Sequence, residues 1–299
     1  MSFASVIDNF LLSRDVGRFR KMKFGSDIQF AEFDKYLIRY KLCGSGDKTV
    51  VFIPNAPNTI EHYDKLAQLL SQNFQVLIFE LPGFGFSVPK KSNYDYSLET
   101  MTQVGIDLLD RLKIKDSIFA LSCLGGYITL KTAEIRPDLV GNIVSIQTLC
   151  WDEQKEWAER INKRLPIQTP VLGQILSRVL RSKITKKWYD RVVPEEQARE
   201  GFIKTAFDNL KKGANYSIAT ANQALFNTTR PVFKPLEMSA LIIWGSKDRS
   251  HLAENQWSML QYLSNFEPHE FESSGHFPEL EQPERFTRIL RERFCLKLV

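Results

Sequence analysis

Nine residues near the middle of the chain, Phe119-Ala120-Leu121-Ser122-Cys123-Leu124-Gly125-Gly126-Tyr127, set a reactive side chain against two glycines. The run reads as a strand that ends in a sharp turn and restarts as a helix. Turns of the G-x-S-x-G kind lift one side chain over a sheet, and a small residue two positions later lets the helix pack close. Gly125 fits that second position, which makes Cys123 the apex. Ser122 is the other candidate, but it would leave Leu124 where a small residue is needed. A thiol at a helix N-terminus meets free N–H groups and a dipole that favour the thiolate. A thiolate attacks a carbonyl and forms an acyl-thioester. Exchanging one thioester for another is close to thermoneutral, so that intermediate can still acylate a further acceptor. The expected chemistry is acyl transfer, ring closure or thioester cleavage ahead of simple ester hydrolysis.

Such an apex needs a sheet beneath it. Lys48 to Pro54, Phe74 to Glu80, Ser117 to Leu121, Asn142 to Gln147, Leu236 to Trp244 and Phe266 to Phe271 read as strands. Helical patterns at Glu61–Leu70, Leu98–Leu112 and Tyr127–Ile135 lie between them. Strands alternating with helices predict an α/β protein whose mostly parallel sheet is covered on both faces.

Four motifs in order carry a resemblance: Leu81-Pro82-Gly83-Phe84-Gly85-Phe86-Ser87, the turn at Cys123, Ile243-Trp244-Gly245-Ser246-Lys247-Asp248, and Ser274-Gly275-His276-Phe277-Pro278. From about Leu37 to its end the chain resembles the alpha/beta-hydrolase superfamily. The resemblance implies Cys123 as nucleophile, Asp248 as acid and His276 as base, in the chain order of that fold. Asp152 is an alternative acid, or else a helix N-cap. His62, His251 and His269 are expected at the surface or in loops, with His62 able to edge the pocket. The resemblance also implies an oxyanion hole from the backbone N–H groups of Ala56 and Leu124. Two departures stand out. Leu121 occupies a position usually held by glycine. The oxyanion loop reads Pro54-Asn55-Ala56-Pro57-Asn58, where Pro54 has no N–H and Asn55 could take an unusual backbone angle as glycine would.

Residues 1–150 and 234–299 are expected to form the hydrolase core, and 151–233 an inserted helical lid. Helical patterns in the lid fall at Asp152–Leu165, Val171–Leu180, Pro194–Lys211 and Ala214–Asn227. Trp151, Trp157, Ile161, Leu165, Leu172, Ile175, Leu176, Val179, Leu180, Trp188, Phe202 and Phe207 either line an apolar acyl pocket or form the lid's own core. Arg160, Lys163, Arg164, Arg178, Arg181, Lys183, Lys186, Lys187 and Arg191 make the lid basic. That pattern fits a solvated face or a dock for an anion: coenzyme A phosphates, an acidic carrier protein or an anionic membrane.

A net charge of +5 is too small to mark a nucleic-acid binder. No apolar run is long enough to span a bilayer. Met1 to Phe19 reads as an amphipathic helix on the body, placed to clasp the lid. Cys43, Cys123, Cys150 and Cys295 show no metal-knuckle spacing and no disulfide framework, which points to reduced thiols in a cytoplasm. The expectation is an enzyme acting on a small acyl substrate, with no cofactor and no metal. A lyase or cyclase using His276 without an acyl-enzyme, and a ligand-binding protein without turnover, are the alternatives.

Overall fold

The computed structural model describes residues 3–163, 166–226, 229–251 and 254–295. Arg164, Leu165 and Asn227 of the expected lid lie outside them. Eight strands form the main sheet: β1 Ile28–Glu32, β2 Tyr36–Cys43, β3 Thr49–Phe52, β4 Gln75–Phe79, β5 Ser117–Ser122, β6 Val140–Ile146, β7 Ala240–Gly245 and β8 Phe266–Phe271. Their order across the sheet is β1-β2-β4-β3-β5-β6-β7-β8, and the two-residue strand Val88–Pro89 pairs with β2. Pairings from β4 to β8 are parallel, whereas β1–β2 and β2–β4 are antiparallel. The six expected strands are all present, within a few residues at their ends. β1 and β2 were not anticipated.

Parallel strands need cover on both faces, and the side chains alternate accordingly. Val51, Leu77, Phe79, Phe119, Leu121, Ile143, Ile242 and Trp244 enter one core, where the helices Leu98–Leu112 and Gly125–Ile135 pack. Val50, Val76, Ile78, Ile118, Ala120, Val144, Leu241 and Ile243 enter the other, against Asp64–Leu70 and Pro283–Phe294.

Between β6 and β7 the described residues form five longer helices: Trp151–Asn162, Leu172–Val179, Arg181–Val192, Glu196–Lys212 and Ile218–Phe226. Arg181–Val192 was not among the expected helices. Its buried positions are only Thr185, Tyr189 and Val192, a stripe hidden among lysines and arginines. The N-terminal helix Phe3–Ser13 reaches both parts of the chain. Asn9 donates to Tyr94 O at 2.6 Å, while the Asp8 carboxylate takes Arg178 at 2.6 Å and the Thr220 hydroxyl at 2.8 Å.

The Leu81–Ser87 motif has a structural task. Gly83 and Gly85 turn the chain at φ 93° and 53°. The buried Glu80 carboxylate then accepts from Phe86 N at 2.7 Å and Ile60 N at 3.2 Å, and pairs with buried Arg39 at 3.1 Å. Arg39 also pairs with Glu61. This network ties β2 to the loop that carries Ala56.

Candidate active site

At the end of β5 the chain turns through Cys123, whose φ is 52°. That left-handed conformation is unfavourable for a residue with a Cβ and marks a strained turn. Cys123 N donates to Ile146 O at 2.9 Å, and its carbonyl accepts the Thr148 hydroxyl at 3.2 Å. The glycines answer to close neighbours. A Cβ on Gly125 would come within 3.1 Å of Leu121 Cβ, and one on Gly126 within 2.6 Å of Thr148 Cγ2. Leu121 therefore fits the turn by using the space Gly125 leaves. Ser122 is buried as the last residue of β5.

Asp248 follows β7 and His276 follows β8. The His276 Nδ1–Asp248 Oδ2 separation is 2.6 Å, with both side chains buried. Asp248 is held on all sides. Oδ1 accepts Ser250 N at 2.8 Å and Ser250 Oγ at 2.7 Å, and Oδ2 takes Gln147 Nε2 at 3.1 Å. The His276 loop is fixed by Glu281, which accepts Gly275 N at 2.9 Å and Phe277 N at 3.0 Å. Burial alone would push the imidazole of His276 down. The charge and hydrogen bond of Asp248, with a smaller contribution from Cys123, reverse this and raise it to about 10. Burial would raise Asp248, but His276 and His251 hold it well below the usual carboxylate range. The arrangement favours a charged ring locked to a charged carboxylate.

His251 corrects the expectation of a surface position. It is buried, and its Nδ1 lies 2.7 Å from the same Asp248 Oδ2. Its ring stacks on Trp157 at 4.8 Å and on His276 at 5.3 Å. Burial pushes it down despite the carboxylate, and His276 adds to this. Asp248, His251 and His276 together could suggest a metal group. Nitrogen–oxygen separations of 2.6 and 2.7 Å are those of hydrogen bonds. Two ligands about 2.0–2.1 Å from a tetrahedral zinc would lie farther apart.

A cavity of about 430 Å³ opens over this group, lined by Asn55, Ala56, Cys123, Leu124, His276 and the helices between β6 and β7. Among the described residues, the N–H groups of Ala56 and Leu124 have no hydrogen-bond partner. Asn55 does not take a positive φ. It contributes its side chain instead, with Nδ2 3.2 Å from His276 Nε2. Gln154 Nε2 approaches Cys123 Sγ at 3.6 Å, and Gln154 is fully buried.

A family model described as alpha/beta hydrolase fold matches residues 48–283. The chain belongs to the alpha/beta-hydrolase fold family. This alpha/beta hydrolase is 23% identical over 262 residues to a 2-hydroxy-6-oxononadienedioate/2-hydroxy-6-oxononatrienedioate hydrolase of a Pseudomonas species, covering 83% of this chain and 88% of that one. Its fold is similar to a probable hydrolytic enzyme of Pseudomonas aeruginosa, with TM-score 0.71, 16% identity, and 92% and 96% of the two chains covered. It is also similar to an esterase of Exiguobacterium antarcticum, with TM-score 0.67, 20% identity, and 90% and 99% covered.

In this hydrolase the expected pocket residues divide. Trp157, Ile161 and Trp188 line the cavity. Trp151 packs instead on Tyr127 and Phe233, and Phe202 on His62 and Phe277. Leu172, Ile175, Val179 and Leu180 line neither the cavity nor a core but are exposed, contrary to expectation. Asp152 is also exposed and pairs with Arg230, and the N-cap of its helix is Cys150. Gln147, Gln154 and His251 were missed as site residues, and Asn55 was expected to act through its backbone angle and not its side chain. No spacing rule marks them, because they come from different places: Asn55 from a loop, Gln147 from the residue after β6, Gln154 from the start of a helix and His251 from the loop after Asp248.

Proposed function

We propose that this alpha/beta hydrolase moves an acyl group from an ester or thioester to water or another acceptor through an acyl-thioester on Cys123. The reading rests on one observation: Cys123 stands at a strained turn under the same cavity as His276 and the unpartnered N–H groups of Ala56 and Leu124. In this reading the thiol proton already rests on His276, whose charged form Asp248 favours, and the Cys123 thiolate attacks the carbonyl carbon. The tetrahedral oxyanion rests on the two N–H groups, each worth about 2.7–4 kcal/mol. Collapse expels the alcohol or thiol, which takes the proton from His276. Asp248 holds the ring in one tautomer and stabilises its charged form. The acceptor then repeats the sequence on the thioester and frees the sulfur.

Residues 151–233 serve as the lid, with Trp157 and Trp188 packed near the base. Acyl donors carried on coenzyme A or an acyl carrier protein suit the basic lid. Four free cysteines, one of them the nucleophile, suit a cytoplasmic setting. No described helix is long and apolar enough to cross a membrane. Steady-state turnover of p-nitrophenyl and thioester acyl substrates by Cys123→Ala and His276→Ala tests the reading. Both variants should lose activity. Activity that survives Cys123→Ala but not His276→Ala would replace it with base-only chemistry.

A further inference from the structure

The helix Leu172–Val179 is inside out. It buries Gly173 and Ser177 and turns its large apolar side chains outward: Leu172 is 46% exposed, Ile175 53% and Val179 72%. Positions 172, 175 and 179 follow helical spacing and share one face. A helix held only by its own packing would bury that face. The N-terminal helix lies beside it, since Asp8 pairs with Arg178 and Leu12 and Val179 line one cleft. That helix also leaves Phe10 (60%) and Leu11 exposed.

The stretch of chain that carries this helix is basic, although Asp8 pairs with Arg178, Asp190 with Lys186 and Glu254 with Arg160. Residues 160 to 189 contain Arg160, Lys163, Arg164, Arg178, Arg181, Lys183, Lys186 and Lys187 and no acidic residue. Among the described residues Lys183 and Lys187 have no carboxylate partner. A second copy of the chain is disfavoured as the cover, because a two-fold contact brings each basic rim onto itself. An anionic bilayer offers both an apolar interior and negative headgroups.

We propose that the exposed apolar face of the Leu172–Val179 helix docks this enzyme onto an anionic membrane surface. Ile175 and Val179 enter the acyl boundary, and Arg181 and Lys183 meet phosphate groups. The surface adjoins the cavity, for Ile167 and Ile184, which flank this helix in sequence, both line it. Docked in this way, the enzyme draws apolar acyl substrates from the bilayer. That last step rests on the Cys123 reading, whereas the docking does not.

Flotation of the full chain with phosphatidylcholine vesicles, with and without phosphatidylglycerol, tests the docking separately from catalysis. Wild type should float with the phosphatidylglycerol vesicles and be released by high salt. The double variant Ile175→Asp/Val179→Asp should bind at least tenfold more weakly, and Lys183→Glu should show a shallower salt dependence. Both should keep the wild-type melting temperature and hydrolysis of a short, water-soluble ester. No flotation of wild type, or equal flotation of the double variant, overturns the proposal. A wild-type dimer that the double variant makes monomeric overturns it in favour of a second copy.

Discussion

His276 sits between a carboxylate that charges it and a thiol it can serve, and the residue-scale predictions follow from that balance. Replacing Asp248 by Asn removes the main cause that raises the ring. Burial then dominates, and the ring should titrate below its ordinary value of 6.5 where wild type titrates near 10. Ring nitrogen shifts of labelled histidine follow this directly. Turnover in Asp248→Asn should fall by about 10³–10⁴-fold, the scale seen when a triad carboxylate loses its charge. Gln154 presents an amide N–H to the Cys123 sulfur. A hydrogen bond to a charged partner is worth about 1.5–3 kcal/mol. Gln154→Met should therefore slow iodoacetamide alkylation of Cys123 by about tenfold or more at neutral pH, with folding intact. The sequence revealed the residues that obey a local rule: an apex before glycines, and an acid and a histidine each after a strand. Gln154 reaches the site only through tertiary packing, so no local pattern marks it. His251 stands three residues from Asp248, but no sequence rule turns its ring inward, and the Asn55 loop was legible whereas the role of its side chain was not.

At the scale of elements, the loop bearing Ala56 is held from below and from above. From below, Glu80 accepts Ile60 N and pairs with Arg39. From above, Tyr189 donates to Asn58 at 2.8 Å and Asn209 to Thr59 at 2.7 Å, both from helices between β6 and β7. Removing one partner of a buried ion pair costs about 3–5 kcal/mol. Glu80→Ala should lose stability on that scale in urea unfolding. The hydrophobic strands of the parallel sheet were legible because residues buried on both faces read as continuous apolar runs. β2 was not, because Arg39 and Lys41 interrupt the apolar run and are neutralised only by tertiary partners, and β1 was not, because it is short and buries only Ala31. The helix Arg181–Val192 escaped for a related reason: its lysines and arginines outnumber the few residues it buries.

Over the whole molecule, two histidines bind stability to pH with opposite signs. Burial pushes His62 down to about 4, so the unfolded chain holds more protons between pH 6.5 and 4, and folding weakens as pH falls through that window. His276 is raised to about 10, so the native state holds more protons between 6.5 and 10. Its contribution is complete below 6.5 and is lost as pH rises toward 10. Melting temperatures should therefore fall less on acidification in His62→Gln, and less between pH 7 and 10 in His276→Gln, than in wild type. Identical profiles would contradict these assignments. The catalytic account itself turns on a single bond. Rapid-quench intact mass of the enzyme mixed with a hexanoyl thioester, followed by peptide mapping, should find one hexanoyl group on Cys123 that is absent from Cys123→Ala. Turnover with no adduct, or an adduct carried on Ser122, would contradict it.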